Sequence, residues 1–270
     1  MPALERSEGN EAGLDTQLDT AARIVAEASY VIALVGAGMS KESGIPTFRG
    51  GDGLWDKHGE PPMDGYQRFL EDPARWWADR LAEQEKMGEF SAAIEAARPN
   101  AGHMALADME REGILQHVIT QNIDNLHQLA GSTRITEIHG NRTKQRCIEC
   151  TRRWPREDFR SGEVPPRCPD CGGLVKGDTV MFGEPIPQDA LEECSRQAQL
   201  ADAVLLIGTS AVVYPAAEYP AIVYRHGGRL IEINPQATPY SDVCAAVLRA
   251  PSGEALPALL DRVNAIRAGG

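Results

Sequence analysis

Four cysteines in two pairs are the residues best suited to hold a metal. Cys147-Ile148-Glu149-Cys150 and Cys168-Pro169-Asp170-Cys171 are C-x-x-C knuckles with 17 residues between them, inside the spacing window of a four-thiolate zinc ribbon. Two intervening residues let both sulfurs of a knuckle turn onto one tetrahedral ion. Four thiolates leave no open coordination position, so the spacing predicts one structural zinc and no catalytic metal. The competing reading is a pair of disulfides or redox dithiols, which the lack of a secretory signal disfavours. Cys194 and Cys244 stand alone and read as packing residues. A second candidate is Gly36-Ala37-Gly38, a glycine turn whose backbone N–H groups suit a pyrophosphate. Lys41 occupies the third glycine position of G-x-G-x-x-G, so by itself this turn is equally an ordinary βα connection. Among six histidines, one placed in a cleft can take a proton near neutral pH, although an isolated histidine is more often a surface or core residue.

The elements needed to position these residues are legible. Residues 15–29 carry apolar side chains at helical spacing, and 30–35 form an apolar β-rich run ending in the glycine turn. Gly- and Pro-rich residues 48–62 read as a loop, followed by a helical pattern over 67–97. Helices over 103–112 and 122–130 then alternate with strands at 117–120 and 135–139. Further strands at 179–182, 203–208 and 229–234 alternate with helices at 188–199 and 215–225. This rhythm predicts an α/β fold, a doubly wound Rossmann-like parallel sheet, with a small inserted zinc-ribbon module and a helical, cofactor-loop insertion. The expected organisation is a mobile tail at 1–14, a nucleotide-binding domain from 15–47, 101–140 and 176–270, an insertion at 48–100 and the cysteine module at 141–175.

Composition bounds the partners. The 270 residues, with 42 % hydrophobic and 24 % charged content, suffice for a buried core. A formal charge of -12 opposes direct binding to nucleic acid or anionic membranes and suits cationic peptides. No basic start with an apolar run is visible, and the aliphatic stretches are too short to span a bilayer, so a cytoplasmic protein is expected.

Longer strings are more specific. Residues 36–50 read GAGMSKESGIPTFRG; Thr120-Gln121-Asn122-Ile123-Asp124 is followed by Leu126-His127; Ile138-His139-Gly140 precedes the knuckles. Val180 with Phe182-Gly183-Glu184, then Gly208-Thr209-Ser210 with Val213-Tyr214-Pro215-Ala216-Ala217, then Ile233-Asn234, complete the series. In this order, over about residues 20 to 260, the chain resembles the sirtuin family of NAD-dependent protein-lysine deacylases, prokaryotic type.

The resemblance implies NAD as cosubstrate and an acylated-lysine protein or peptide as partner. The acyl oxygen attacks the ribose carbon as nicotinamide leaves, and a base then activates a ribose hydroxyl; His139 is the implied base and Asn122 the second catalytic residue. Asn122 would hold ribose or an ordered water and could also cap a helix, Asp124 would bind the nicotinamide carboxamide, and Gln121 and Ile123 would lie beside them. The resemblance also places Gly36, Ala37, Gly38, Ser40, Phe48, Arg49, Gly208, Thr209, Ser210, Asn234, Pro235 and Gln236 on the cofactor. Phe48 would cover the reacting face, and His127 would orient neighbouring groups. Val180, Phe182, Gly183, Glu184 and Val213 would bind the peptide as an added strand. Cys147, Cys150, Cys168 and Cys171 would be the zinc ligands.

Sirtuins that prefer acidic acyl groups carry a Tyr-x-x-Arg pair whose positions here are Arg80 and Glu83. Glu83 opposes a succinyl carboxylate, so acetyl or another uncharged acyl group is expected; a shifted register would offer Trp77 and Arg80 instead. Thr47 and Gly177 also depart from common family residues, Asp and Pro. The alternatives are mono-ADP-ribosyl transfer from NAD, deacylation of other groups including succinyl, and a non-enzymatic binding module.

Overall fold

In the computed structural model, residues 10–49, 53–60, 62–84, 89–159 and 162–269 are described. The chain opens with α1 (Asn10–Glu27) and β1 (Val31–Val35), whose V-I-A-L-V sequence is buried along its whole length. Past the glycine turn come α2 (Leu54–His58), α3 (Gly65–Glu71), α4 (Pro73–Gln84) and α5 (Glu89–Ala96). The alternation resumes with α6 (Ala101–Arg111), β2 (Leu115–Thr120), α7 (Leu126–Ala130) and β3 (Ile135–Glu137). Next are β4 (Lys144–Cys147), β5 (Arg153–Pro155) and β6 (Val175–Gly177), and then α8 (Gln188–Leu200) and β7 (Ala203–Ile207). The last elements are α9 (Tyr219–Arg225), β8 (Arg229–Ile233), β9 (Ala246–Leu248) and α10 (Ser252–Gly269).

The main sheet has the order β3-β2-β1-β7-β8-β9, parallel throughout. Side-chain alternation divides β1 between two cores. Val31, Ala33 and Val35 pack in the core that also holds residues of α1, α6 and α10. Ile32 and Leu34 pack in the opposite core, with residues of α8 and α9. β7 repeats the pattern, so both central strands are covered by helices on both faces, which is why they read as continuous aliphatic runs. Chain order reverses between β1 and β7, and a crevice opens at the carboxyl ends of the strands at such a switch point.

The cysteine module is a three-stranded antiparallel sheet, β5-β4-β6, extending to Gly177, past the expected boundary at 175. Its charge explains how it is seated. Lys144 pairs with Glu137, Arg146 with Asp178 and Glu184, Arg153 with Asp178 and Asp189, and Lys176 with Glu184. The module thus turns much of its basic content inward onto acids of adjoining segments.

Several expected elements differ. The helix begins at Asn10 and Leu14 packs against the core, so 10–14 are not a tail; residues 1–9 lie outside the described residues. The 67–97 pattern is divided into α3, α4 and α5, broken at Asp72-Pro73 because the residue before proline is pushed out of helical geometry. Helix 122–130 shrinks to α7, since residues 121–124 line the cleft and Asn125 has φ 69°. The capping bond there is Asp124 Oδ1 accepting from Leu126 N at 2.9 Å, so Asp124, not Asn122, does this work. Residues 179–182 form no strand; Val180 N donates to His139 O at 2.9 Å, outside either sheet. β9 and α10 had no sequence expectation.

Candidate active site

Both central strands end in turns that touch. Gly36 N donates to Ile207 O and Gly38 N to Gly208 O, at 2.9 and 2.8 Å. A Cβ on Gly36 would meet Gly208 O and Thr209 Cα at 2.8 Å, and one on Gly38 would meet Gly208 Cα at 2.8 Å. The glycines are therefore required first for the close approach of two backbones, and their N–H groups are spent on that contact. A 3-10 turn, Ala37–Ser43, follows.

Around this junction lies a cleft of about 1390 Å³, larger than a single small-molecule pocket and roomy enough for a dinucleotide with a second substrate. Every residue expected to touch cofactor or peptide lines it. Gly36, Ala37, Gly38 and Ser40 come from the β1 turn, Gln121 to Asp124 from the end of β2, Gly208 to Ser210 from the end of β7, and Asn234 to Gln236 from the end of β8. A separate hollow of about 430 Å³ beside Tyr30, His117 and Arg196 contains none of the motif residues.

The polar groups form one connected set. Ser40 Oγ donates to Asp124 Oδ2 at 2.6 Å and accepts from Asn122 Nδ2 at 3.2 Å, while the same Nδ2 donates to Gly36 O at 3.1 Å. With its amide protons used, Asn122 has Oδ1 left for a ligand. Gln121 Nε2 donates to the Thr209 hydroxyl at 2.9 Å, which also accepts from Ala211 N at 3.1 Å. Asn234 Nδ2 donates to Thr209 O and its Oδ1 accepts from Gln236 N. Gln121, Thr209 and Asn234 therefore brace the loops against each other, whereas Ser210 is exposed to the cleft. Buried Glu232 and half-buried Arg249 support the far end, Arg249 donating to the Asn234 and Gln236 carbonyls.

His139 sits half-buried beyond β3, its Nδ1 3.1 Å from Gln121 O. A carbonyl only accepts, so Nδ1 carries the hydrogen and Nε2 keeps its lone pair. Burial pushes the imidazole pKa below its ordinary 6.5, opposed by the Gln121 bond, so the ring is neutral at neutral pH and able to accept a proton.

Aromatic rings cover the other wall. Phe48 lies 5.2 Å from Trp55 and 5.7 Å from Phe90, and Trp55 5.8 Å from Phe182. Arg49 stacks over Trp55 at 4.2 Å and pairs with Glu60 at 2.9 Å. Phe90 and Ile94, one helical turn apart, line the cleft and were missed by the sequence reading, as were Trp55 and Glu42. The i, i+4 spacing of Phe90 and Ile94 was the available signal. Glu42 lies within the first signature; it accepts from Gly253 N at 2.7 Å and so caps α10.

Two expectations are corrected, and the alternative register through Trp77 and Arg80 finds no support. Glu184 was expected on the substrate, but its carboxylate binds Arg146 at 2.5 Å, Lys176 at 2.9 Å and Met181 N at 2.8 Å, and its side chain is 2 % exposed. Expected to orient its neighbours, His127 is buried 4.9 Å from His103 with neither ring nitrogen hydrogen-bonded among the described residues. Trp77 and Arg80 are both absent from the cleft lining: Trp77 Nε1 donates to Val175 O, and Arg80 stacks on Trp76. The Glu83 side chain lies outside the described residues.

The four cysteine ligand atoms lie within 4.8 Å of one another, with Cys147 to Cys171 at 3.5 Å and Cys150 to Cys168 at 3.7 Å. Tetrahedral zinc with Zn–S near 2.3 Å requires sulfurs about 3.8 Å apart, so the set fits a closed structural site. Gly173 is needed there, since a Cβ would meet Glu149 Cγ at 2.5 Å and Cys147 Sγ at 3.0 Å.

Comparison with known proteins agrees with this geometry. The sequence model of the Sir2 family matches residues 36–215. An NAD-dependent protein deacylase of Thermococcus kodakarensis is 42 % identical over 258 residues, covering 93 % of this chain and 97 % of that protein. An NAD-dependent protein deacetylase of Caldivirga maquilingensis is 42 % identical over 254 residues, covering 93 % and 95 %. Among solved structures, a Sir2 homolog–NAD complex is 39 % identical with TM-score 0.74, covering 91 % of this chain and 93 % of that one. A Sir2 complex with a deacetylated p53 peptide and 3'-O-acetyl ADP ribose is 35 % identical with TM-score 0.72, covering 92 % and 97 %.

Proposed function

The chain belongs to the Sir2 family, and from that premise we propose that His139 is the base of its NAD-dependent reaction, with Asn122 and Asp124 beside it. The enzyme is an NAD-dependent protein-lysine deacylase with one structural zinc site. NAD supplies the ribose carbon that takes the acyl oxygen as nicotinamide leaves. Asp124, held by Ser40 and Leu126 N, offers carboxylate lone pairs to a carboxamide. Asn122 Oδ1 orients a ribose hydroxyl or water, and Nε2 of His139 accepts the hydroxyl proton. Phe48 and its aromatic neighbours exclude water from the reacting face. Residues Val180, Phe182, Gly183 and Val213 border the peptide, with Glu184 acting behind them.

The observation that carries the assignment is the Nδ1 bond of His139 to a carbonyl, which leaves Nε2 basic in a cleft of the right size. Acetyl or another uncharged acyl group is the favoured substrate, because Lys41 and Arg49 are the cations lining the cleft among the described residues, and Arg49 is committed to Glu60 and Trp55. The partner is an acylated-lysine protein or peptide and not nucleic acid: the basic module spends its charge on internal acids. No helix of the described residues is long and apolar enough to cross a membrane. A cytoplasmic setting keeps the zinc thiols reduced.

Mass spectrometry of acetyl-lysine and succinyl-lysine peptides, each with and without NAD, tests the reading. Loss of acetyl only with NAD, with acyl-ADP-ribose formed, is expected. Preferential loss of succinyl overturns the acyl assignment, and NAD cleavage with both peptides intact moves the activity to ADP-ribosyl transfer.

A further inference from the structure

The peptide border, residues 179–184, belongs to no sheet, so something else must hold its shape. Its backbone bends at Thr179 and turns at Phe182-Gly183, where Gly183 has φ 79°. Two backbone bonds tie it to neighbouring segments, Val180 N donating to His139 O at 2.9 Å and Tyr66 N to Phe182 O at 3.0 Å, which leaves most of its groups without a ladder to fix them. The rest of its enclosure is ionic. Lys176, on β6, is fully buried, and its ammonium donates to Gly177 O at 2.9 Å and Thr179 O at 2.8 Å while pairing with Glu184 at 2.9 Å. Those three contacts match the three protons of an ammonium. Arg146, 4 % exposed, joins Asp178 at 3.0 Å to Glu184 at 2.5 Å. Glu184 in turn accepts from Met181 N, and Asp178 accepts from Asn141 N, two residues past His139.

A buried lysine is costly to keep charged: burial lowers its pKa to about 8, with Glu184 acting in the opposite direction. A methionine or leucine would fill the space at less cost, since a buried ion pair rarely outperforms a packed apolar group in stability. An ammonium does one thing an apolar group cannot. It fixes the Thr179 carbonyl and the Glu184 carboxylate, five residues apart, relative to each other.

We infer that Lys176 is a positioning residue for the peptide edge of the cleft, holding residues 179–184 in the geometry in which acyl-lysine peptide binds, with Arg146 as the brace that ties this edge to the zinc module. The inference rests on the deacylase reading of the cleft. Lys176 does not line the cleft, and its ammonium is bonded to Gly177 O, Thr179 O and Glu184, all on the peptide side. Its loss therefore acts on peptide and spares NAD.

The test uses the full chain with zinc bound. Wild-type turnover of an acetyl-lysine peptide with NAD first establishes the activity; its absence sinks the deacylase reading without touching Lys176. Lys176→Met, Lys176→Arg and the charge-neutral pair Lys176→Met with Glu184→Gln are then compared with wild type for peptide KM, NAD KM, binding of a fluorescent acetyl-lysine peptide, zinc content and far-UV spectrum. Expected are a rise of roughly tenfold or more in peptide KM for Lys176→Met, NAD KM within about twofold of wild type, and partial recovery in Lys176→Arg. Unchanged peptide KM in a folded, zinc-loaded variant overturns the inference, as does an equal loss of NAD and peptide affinity. If Lys176→Met does not fold, the charge-neutral pair is decisive: wild-type peptide affinity in it assigns Lys176 to stability alone.

Discussion

At the scale of single residues, the cleft depends on a few atoms with one permitted arrangement. His139→Ala should retain zinc and fold yet lose acyl removal by about a hundredfold or more, the usual contribution of a positioned base. Near-normal turnover would remove His139 from that role. Because burial holds its pKa below 6.5, the ring is neutral and competent above that value and becomes protonated only below it. The acid limb of kcat/KM for NAD-saturated enzyme is thus expected below about pH 6.5, and a limb centred above it contradicts the assignment. Gly140 is the second such position. Its φ is 76° and an added Cβ would lie 2.1 Å from Asp178 O, a backbone atom that cannot swing aside. Gly140→Ala should separate the His139 loop from residues 178–180, lowering both activity and the thermal midpoint; a calorimetric scan matching wild type would show that the two segments are free to part.

At the scale of elements, short pieces hold position only through their neighbours. β4, β5 and β6 are 3 or 4 residues each, and the buried apolar cluster beneath them consists of Cys147, Cys168 and Val175, with Trp154 and Phe159 partly buried against it. That is too little apolar area to order the module, so metal binding must supply folding free energy. Chelation of the zinc should therefore abolish peptide turnover while most far-UV helical signal persists, because the six-stranded sheet has its own two cores. Cooperative loss of all secondary structure on chelation would show that the module is part of the main folding unit. The N-terminus of α10 supplies a smaller case. Glu42 accepts from Gly253 N and Ser252 Oγ, and a carboxylate at a helix N-terminus contributes on the order of 1 kcal/mol. Glu42→Ala should lower the unfolding free energy by about that amount in a urea titration, and an unchanged midpoint would show that water replaces the cap.

At the scale of the whole molecule, burial of neutral histidines links stability to pH. Burial lowers the pKa of His103 to about 3, with the adjoining His127 adding to the shift, and lowers those of His117 and His127 to about 4, against an ordinary 6.5. Above pH 6.5 neither the native nor the unfolded chain is protonated at these rings, so they make no pH-dependent contribution. Below it the unfolded chain takes up protons that the native state refuses, and stability falls toward pH 4. The cost is on the order of 2 kcal/mol per histidine near pH 5. Urea midpoints measured near pH 7.5 and near pH 5 should differ accordingly; equal midpoints would show that the rings are accessible to protons in the native state.

Much of this was legible without coordinates, because it depends on local chemistry. Aliphatic runs announce buried parallel strands, paired cysteines announce zinc, and the ordered motif strings announce the family and its cosubstrate, each single run, knuckle or string being a short local stretch of chain. The cleft residues carried by the motifs were likewise legible: Gly36, Asn122, Gly208 and Asn234 each lie in a string just past a strand end. What the sequence could not decide was which polar groups face a ligand and which are spent on the protein. Glu184, Thr209 and Asn234 look like binding residues in the string, yet their atoms are claimed by Lys176, Gln121 and neighbouring backbone. Nor could it show that residues 179–182 stay out of a sheet, or that Phe90 and Ile94 reach the cleft. Hydrogen-bond partners and pocket walls are set by segments far apart in the chain, and only the packed tertiary structure brings those segments together.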